Sequence, residues 1–296
     1  MESKGPVFCF GEVLWDCLPA GLFMGGAPCN VAYHIQQGGL EVYPVTAVGS
    51  DFLGEEILRR LKKAGLSDTF VTVIDHKSTG VVLVSIDEAG NATYEIKENV
   101  AWDHIGLTSH LEEIAHRASA IIFGSLALRA LPNRAVLSAL LNGAEHALKC
   151  FDVNLRPPFD DLELVRTLSE EADLIKMNAD ELKVLVDSEN SSLEDMARVF
   201  QESVGDKKIC ITDGGNGAGL LIDDKWYSEK ANKVEVKDTV GAGDSFLGAL
   251  ITSLVQGTED PQSALSRACR MGEFVATSNG AMPSYKWQNN TPVALG

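Results

Sequence analysis

The sequence predicts a doubly wound α/β protein with a mainly parallel sheet, helices on both faces and a small β insert. Two observations carry this reading. Short, nearly continuous apolar runs recur along the chain, as expected of parallel strands covered on both faces. Amphipathic stretches at helical spacing alternate with them, and that alternation means a doubly wound sheet. A third observation adds the insert: one pair of strands alternates polar with apolar residues and is joined by a turn.

Taken in order, Val7–Phe10 and Val42–Val48 read as strands. Ala120–Phe123, Cys150–Val153, Leu174–Met177 and Lys208–Thr212 read the same way. Leu53, Ile57, Leu58 and Leu61 share one face of a helix over Phe52–Ala64. Helices also follow over Asn133–Ala147, Ala179–Val186, Ser192–Phe200 and Ala242–Val255. The last runs from Pro261 to Ala276, with proline in the first turn, where its missing N–H costs nothing. The exception is Thr79–Ile86, the turn Asp87–Asn91 and Thr93–Ile96, a hairpin with one solvated face. A hairpin inside a parallel α/β chain is either surface decoration or a lid that excludes water from a reaction. No repeat or Pro/Ser-rich linker divides the 296 residues, so a single domain, 1–296, with an inserted lid is expected.

Composition narrows the function classes. A 45% hydrophobic fraction supplies a sizeable core, and 23% charged residues argue against general disorder. A net charge of −17 disfavours nucleic acid and anionic membrane as partners. No apolar run approaches the ~20 residues of a membrane helix. The segment after Met1 lacks a signal-peptide layout. Six scattered cysteines without a C-x-x-C pair read as small buried hydrophobes in a reducing, cytoplasmic setting.

The richest chemistry lies in Lys237–Phe246. Gly241-Ala242-Gly243 runs straight into an amphipathic helix, and Asp244 follows. Glycines admit an anion close to backbone N–H groups, and the helix dipole adds positive potential. Asp244 would repel a resting phosphate, yet suits a base facing a neutral hydroxyl beside donors for a transferring phosphoryl group. A helix cap is the plain alternative. It explains one acid but not two glycines and a second acid, Asp238. No G-x-x-x-x-G-K-[ST] occurs, so the chain is not a Walker-type NTPase. Phe246 stands where a dinucleotide-binding fingerprint needs a third glycine. No histidine spacing suits zinc and no G-x-S-x-G elbow is present.

Three further segments are weaker alone. Gly25-Gly26-Ala27-Pro28-Cys29-Asn30 again sets glycines before a helix, with Asn30 able to donate to and accept from sugar hydroxyls. Upstream, Gly11–Asp16 places an acid after the first strand, where open α/β sheets bind ligands. Asn178 ends a strand and Glu181 lies in the following helical turn; the pair either serves the helix dipole or holds magnesium-bound water. Thr212–Gly217 is either a plain turn or backbone passing close to a nucleotide.

Together, in this order, these segments resemble the ribokinase-like (PfkB) carbohydrate kinases, within them the fructokinase branch. The two signature stretches are Gly25–Ala32 and Asp238–Asp244, and the second is highly specific. Val48–Gly54 and Asp152–Arg156 are similar to further family blocks. The resemblance covers nearly the whole chain. It implies an α/β/α core with a β lid formed by about 12–24 and 78–100. It implies that Asp244 is the base, with Gly241, Ala242 and Gly243 as the anion hole. Asp16, Gly25, Gly26 and Asn30 would hold the sugar, and Arg156 would reach phosphate or sugar. Lys176, Asn178, Thr212, Gly214, Gly217 and Asn279 would lie along ATP. Mg2+ would sit near Asn178 and Glu181 through water, and a potassium-type ion near Asp238, Thr239 and the Gly280 loop. A homodimer through the lid is a further expectation.

The activity so implied is phosphoryl transfer from ATP to a primary sugar hydroxyl, with fructose leading. Other acceptors are 2-keto-3-deoxygluconate, ribose or a nucleoside, for which Trp15, Phe23 and Trp102 offer aromatic surfaces. A catalytically silent sugar-binding protein is the rival from another class. The Asp16–Gly25 stretch is short where many fructokinases carry a longer loop.

Overall fold

The structure is a computed structural model that describes residues 4–18, 21–86, 92–186 and 191–295. Among these residues the strands are β1 (Val7–Phe10), β2 (Leu14–Leu18), β3 (Gly21–Gly25), β4 (Val42–Gly49), β5 (Val71–Ile74), β6 (Gly80–Ile86), β7 (Ala92–Ile96) and β8 (Ala120–Gly124). They continue as β9 (Leu148–Asp152), β10 (Leu174–Asn178), β11 (Lys208–Thr212), β12 (Ala218–Ile222), β13 (Lys225–Glu229), β14 (Tyr285–Gln288) and β15 (Thr291–Ala294). The helices are α1 (Ala27–Gln37), α2 (Phe52–Lys63), α3 (Ser109–Ala115), α4 (Leu131–Gly143), α5 (Leu162–Glu171), α6 (Ala179–Val186), α7 (Leu193–Val204), α8 (Ala242–Gln256) and α9 (Pro261–Ala276).

The main sheet has the order β13-β12-β11-β10-β9-β8-β1-β4-β5 and is parallel from β11 to β5. Every apolar run expected to be a strand is one, with ends moved by at most two residues. Each is largely apolar because both faces are covered. In β1, Phe8 and Phe10 enter one core with α3–α7, while Val7 and Cys9 enter another with α1, α2, α8 and α9. Fully burying each such side chain is worth roughly 1.5–3 kcal/mol.

The chain winds outward from β1 to β4 and β5, then returns to β8 on the other side of β1 and continues to β11. The direction of winding therefore reverses between β1 and β8. The crevice beyond the carboxyl ends of strands at such a reversal is where open α/β sheets bind ligands.

The lid segments form a separate four-stranded sheet, β3-β2-β6-β7. Its β6–β7 pair is the expected hairpin; the turn at 87–91 lies outside the described residues. Strand β2 pairs antiparallel with β3 and parallel with β6, so the two inserts are one sheet. Asp51 anchors its root. The carboxylate caps α2 at Gly54 N–H and accepts from Thr79 N–H and Oγ1 at 2.8 and 2.6 Å. Beside it, a Cβ on Gly54 would lie 2.1 Å from the Gly49 carbonyl. That packing accounts for the Val48–Gly54 block.

Candidate active site

Asp244 lies in the first turn of α8, the helix that Gly241 opens with a left-handed φ of 76°. A Cβ on Gly241 would come within 2.3 Å of that of Ala281, so the turn requires glycine. The Ala242 N–H donates to Thr239 O, which closes the turn. The Gly243 and Asp244 N–H groups follow in the first helical turn, before the helix has carbonyls to offer them. These groups and the helix dipole make the turn an anion site.

Asn30, on α1, donates from Nδ2 to Asp244 Oδ2 at 2.8 Å. The two signature stretches, 214 residues apart, thus meet through one hydrogen bond. Burial raises the Asp244 pKa and Asp152 adds to the shift, against Asn30, Lys176 and Arg156, which lower it. The result is a carboxylate more basic than a solvated aspartate, held beside an amide that fixes its direction.

Beneath the turn is a buried ion pair. Lys176 Nζ donates to both oxygens of Asp152 at 3.0 and 3.2 Å. A Cβ added at Gly243 would lie 3.3 Å from that Nζ, so the ammonium sits against the glycine turn. Desolvation pushes the Lys176 pKa down, but Asp152, Asp244 and Glu181 outweigh it and raise it. Lys176 is therefore a fixed cation under the turn. Asp152 as its partner escaped the motif-by-motif reading. The signal was available: each residue interrupts an apolar strand, and opposite charges on neighbouring buried strands must pair.

On the lid side, a Cβ on Gly25 would meet Asp16 Oδ2 at 2.5 Å, so this carboxylate lies directly against the Gly25 backbone. Burial raises the Asp16 pKa to about 6, and Arg156 opposes the shift. Gly26, with φ 111°, packs on the Glu12 backbone, 2.4 Å from Cβ position to carbonyl oxygen. Arg156 is exposed and, among the described residues, its side chain bonds its neighbour's carbonyl, Leu155 O. Its charge lowers the pKa of Glu12, Asp16 and Asp244 alike, so it lies within electrostatic reach of all three acids. Of the three aromatics, Trp15 and Trp102 are buried in the cores. Phe23 is half-exposed and stands opposite Asp16 in the β2–β3 register, on the same lid face.

Asn178 and Glu181 form a reciprocal box at the start of α6. Asn178 Oδ1 accepts from Glu181 N–H and Glu181 Oε2 accepts from Asn178 N–H, both at 2.8 Å. Glu181 Oε1 accepts from Leu155 N–H, which ties the box to the loop carrying Arg156. Burial raises the Glu181 pKa. Thr212–Gly217 is the turn from β11 into β12, an antiparallel extension that the apolar pattern did not reveal. Gly217, at φ 116°, would place a Cβ 1.9 Å from Glu229 O, whereas Gly214 faces open space. Asp238 Oδ2 accepts from Gly280 N–H at 3.3 Å, which joins the two segments expected around a monovalent ion. Thr239 and Asn279 are exposed on these same segments. Among the described residues no group of three or more His, Cys, Asp or Glu is arranged to hold a metal.

The pattern of the pfkB family carbohydrate kinases matches residues 10–288. The chain belongs to this family. Fructokinase-2 of Oryza sativa subsp. japonica is 28% identical over 304 residues, covering 94% of this chain and 90% of the relative. A Vibrio cholerae fructokinase double mutant with fructose, ADP and potassium superposes with a TM-score of 0.82 at 23% identity, covering 95% of each chain. An Escherichia coli chain provisionally called ribokinase II, with ATP and Mg2+, gives 0.79 at 22% identity and 94% coverage of each. Family membership makes this chain a sugar kinase, a phosphotransferase with a sugar hydroxyl as acceptor.

Proposed function

We propose that the chain transfers the γ-phosphate of ATP to a primary hydroxyl of a small neutral sugar, with fructose the leading acceptor. The observation that carries this is Asp244, made more basic by burial and aimed by Asn30, directly beside a glycine turn backed by a lysine. Asp244 takes the hydroxyl proton as attack begins. The N–H groups after Gly241 and the Lys176 ammonium face the charge of the transferring group. Asp16, Gly25, Gly26 and Asn30 frame the sugar, and the lid keeps water out. Fructose is favoured by the curated relatives. A neutral acceptor is favoured by the three acids Glu12, Asp16 and Asp244, which outnumber the Arg156 that acts on them.

The nucleotide belongs along Lys176, Asn178, Thr212, Gly214, Gly217 and Asn279. Open space at Gly214 and Gly215 leaves backbone there free to approach it. The residues fit Mg2+ carried mainly by the triphosphate: both Glu181 oxygens already accept backbone N–H groups, which suits contact through water. Mg2+ supplies charge neutralisation when bound. Asp238, Thr239 and the Gly280 loop are the candidate contacts for a potassium-type ion.

The test is ADP release from Mg-ATP across neutral and acidic sugars, with and without potassium. Turnover confined to neutral sugars, fructose foremost, is the expected result. Preference for a carboxylate sugar would overturn the neutral-acceptor reading. Silence on every sugar, with ATP still bound, would favour the binding-protein reading.

A further inference from the structure

The same site holds a third acid, Glu12, beside Asp244 and Asp16. Glu12 follows β1 and is 95% buried, with a relative exposure of 5%. Its Oε1 accepts from Ala27 N–H at 3.2 Å and so supports the start of α1. Its Oε2 is fully buried and receives no hydrogen bond among the described residues. A buried carboxylate oxygen without a donor is costly, and such exceptions call for an explanation.

The surroundings supply one. Glu12 lines a cavity of about 10 Å³ between the ends of β1 and β8, where the winding of the sheet reverses. That is room for about one water or one hydroxyl oxygen. Pro28 and Val31 line it from the helix that carries Asn30, and Asn154 lines it from the loop that carries Arg156. Two other polar groups on the wall are already engaged. Asp152 holds Lys176, and Ser125 Oγ donates to Val153 O. The Asn30 Oδ1 is a second buried acceptor without a donor. The unmet Glu12 oxygen, on the wall of this cavity, calls for a hydroxyl or water donor.

We propose that Glu12 is a specificity-determining residue of the sugar site, its Oε2 accepting one hydroxyl of the acceptor sugar directly or through a single water. This rests on the sugar-kinase reading and adds to it a substrate class. The acceptor is a polyol that carries, besides the hydroxyl phosphorylated at Asp244, another that reaches the β1–β8 crevice. An analogue lacking that hydroxyl strands the carboxylate, and sites built to bond a hydroxyl reject such analogues strongly.

The experiment compares wild type with Glu12→Gln, which keeps an acceptor for Ala27 N–H but replaces the second oxygen with an NH2 group, which donates and cannot accept from the sugar hydroxyl. The probes are fructose, or the fastest neutral sugar of the panel, and its monodeoxy analogues. Wild type should lose about 10–100-fold in kcat/KM on one analogue. Glu12→Gln should shrink that penalty to within about 3-fold and leave the other analogues' penalties unchanged. Glu12→Asp, should Glu12→Gln fail to fold, should raise the sugar KM more than it lowers kcat. Identical deoxy profiles in wild type and Glu12→Gln, or no sugar KM effect in Glu12→Asp, overturn the inference while leaving the kinase reading intact. Calorimetric sugar binding makes the same comparison without turnover, so failure of the kinase reading is seen separately.

Discussion

At the scale of single residues the site is a balance of buried charges. Glu12 titrates near 7 because burial outweighs the pull of Arg156 and two N–H groups. A carboxyl whose folded pKa lies above its unfolded value of 4.5 favours the fold below pH 4.5, and that contribution is lost as pH rises to about 7. The pKa difference corresponds to about 3 kcal/mol. Glu12→Gln should therefore raise the melting temperature at pH 8 and leave it nearly unchanged at pH 4, a gain in stability opposed to its loss of sugar discrimination. A pH-independent effect would mean that Glu12 is not carrying this charge. Asp244 also has a raised pKa, so turnover should fall on acidification at a pH above the usual aspartate range. Lys176→Met should cost more in kcat than in ATP KM, because the ammonium lies under the glycine turn. A change in ATP KM alone would place Lys176 with the resting nucleotide instead.

At the scale of elements, the glycines explain which turns can form and the caps explain where helices start. Asp51 shows how one side chain joins two elements, capping α2 while holding Thr79 at the foot of β6. Asp51→Ala should destabilise the protein by about 1–2 kcal/mol. It should also speed amide exchange in residues 80–83 beyond that of the core strands. Uniform exchange across the protein would show that Asp51 serves α2 alone. Much of this scale was legible, since Gly241-x-Gly243 before an apolar helix can be read directly. The Asp152–Lys176 pair was not, because it depends on β9 lying beside β10 in register. The β12–β13 extension was missed for a similar reason. Its role as an antiparallel edge follows from the tight turn at Gly217, and periodicity does not distinguish edge from centre. Helix α4 starts two residues before its expected position because Pro132 begins the helix. Asn133, taken for its start, is buried and bonds Ile105, Trp102 and Ala127.

At the scale of the molecule, the layer order was legible because each parallel strand must be apolar on both faces. What pattern cannot convey is which strands neighbour one another, and so where the winding reverses and the site forms. The outer lid face carries Leu22 and Leu83 opposite Cys17, both leucines well exposed. We propose that two chains pair through this face. Leu83→Glu should convert a dimer to monomer by sedimentation velocity, whereas an unchanged dimer would place the interface elsewhere. No helix among the described residues is long and apolar enough to cross a membrane.

The central claim is that Asp244 removes the proton from the sugar hydroxyl. Its most direct test is the turnover rate of Asp244→Asn with Mg-ATP and the best sugar, with ATP affinity measured alongside. A rate about 10²–10⁴-fold lower at nearly unchanged ATP affinity is expected. Turnover within a few-fold of wild type would show that Asp244 only caps α8, and would contradict the claim.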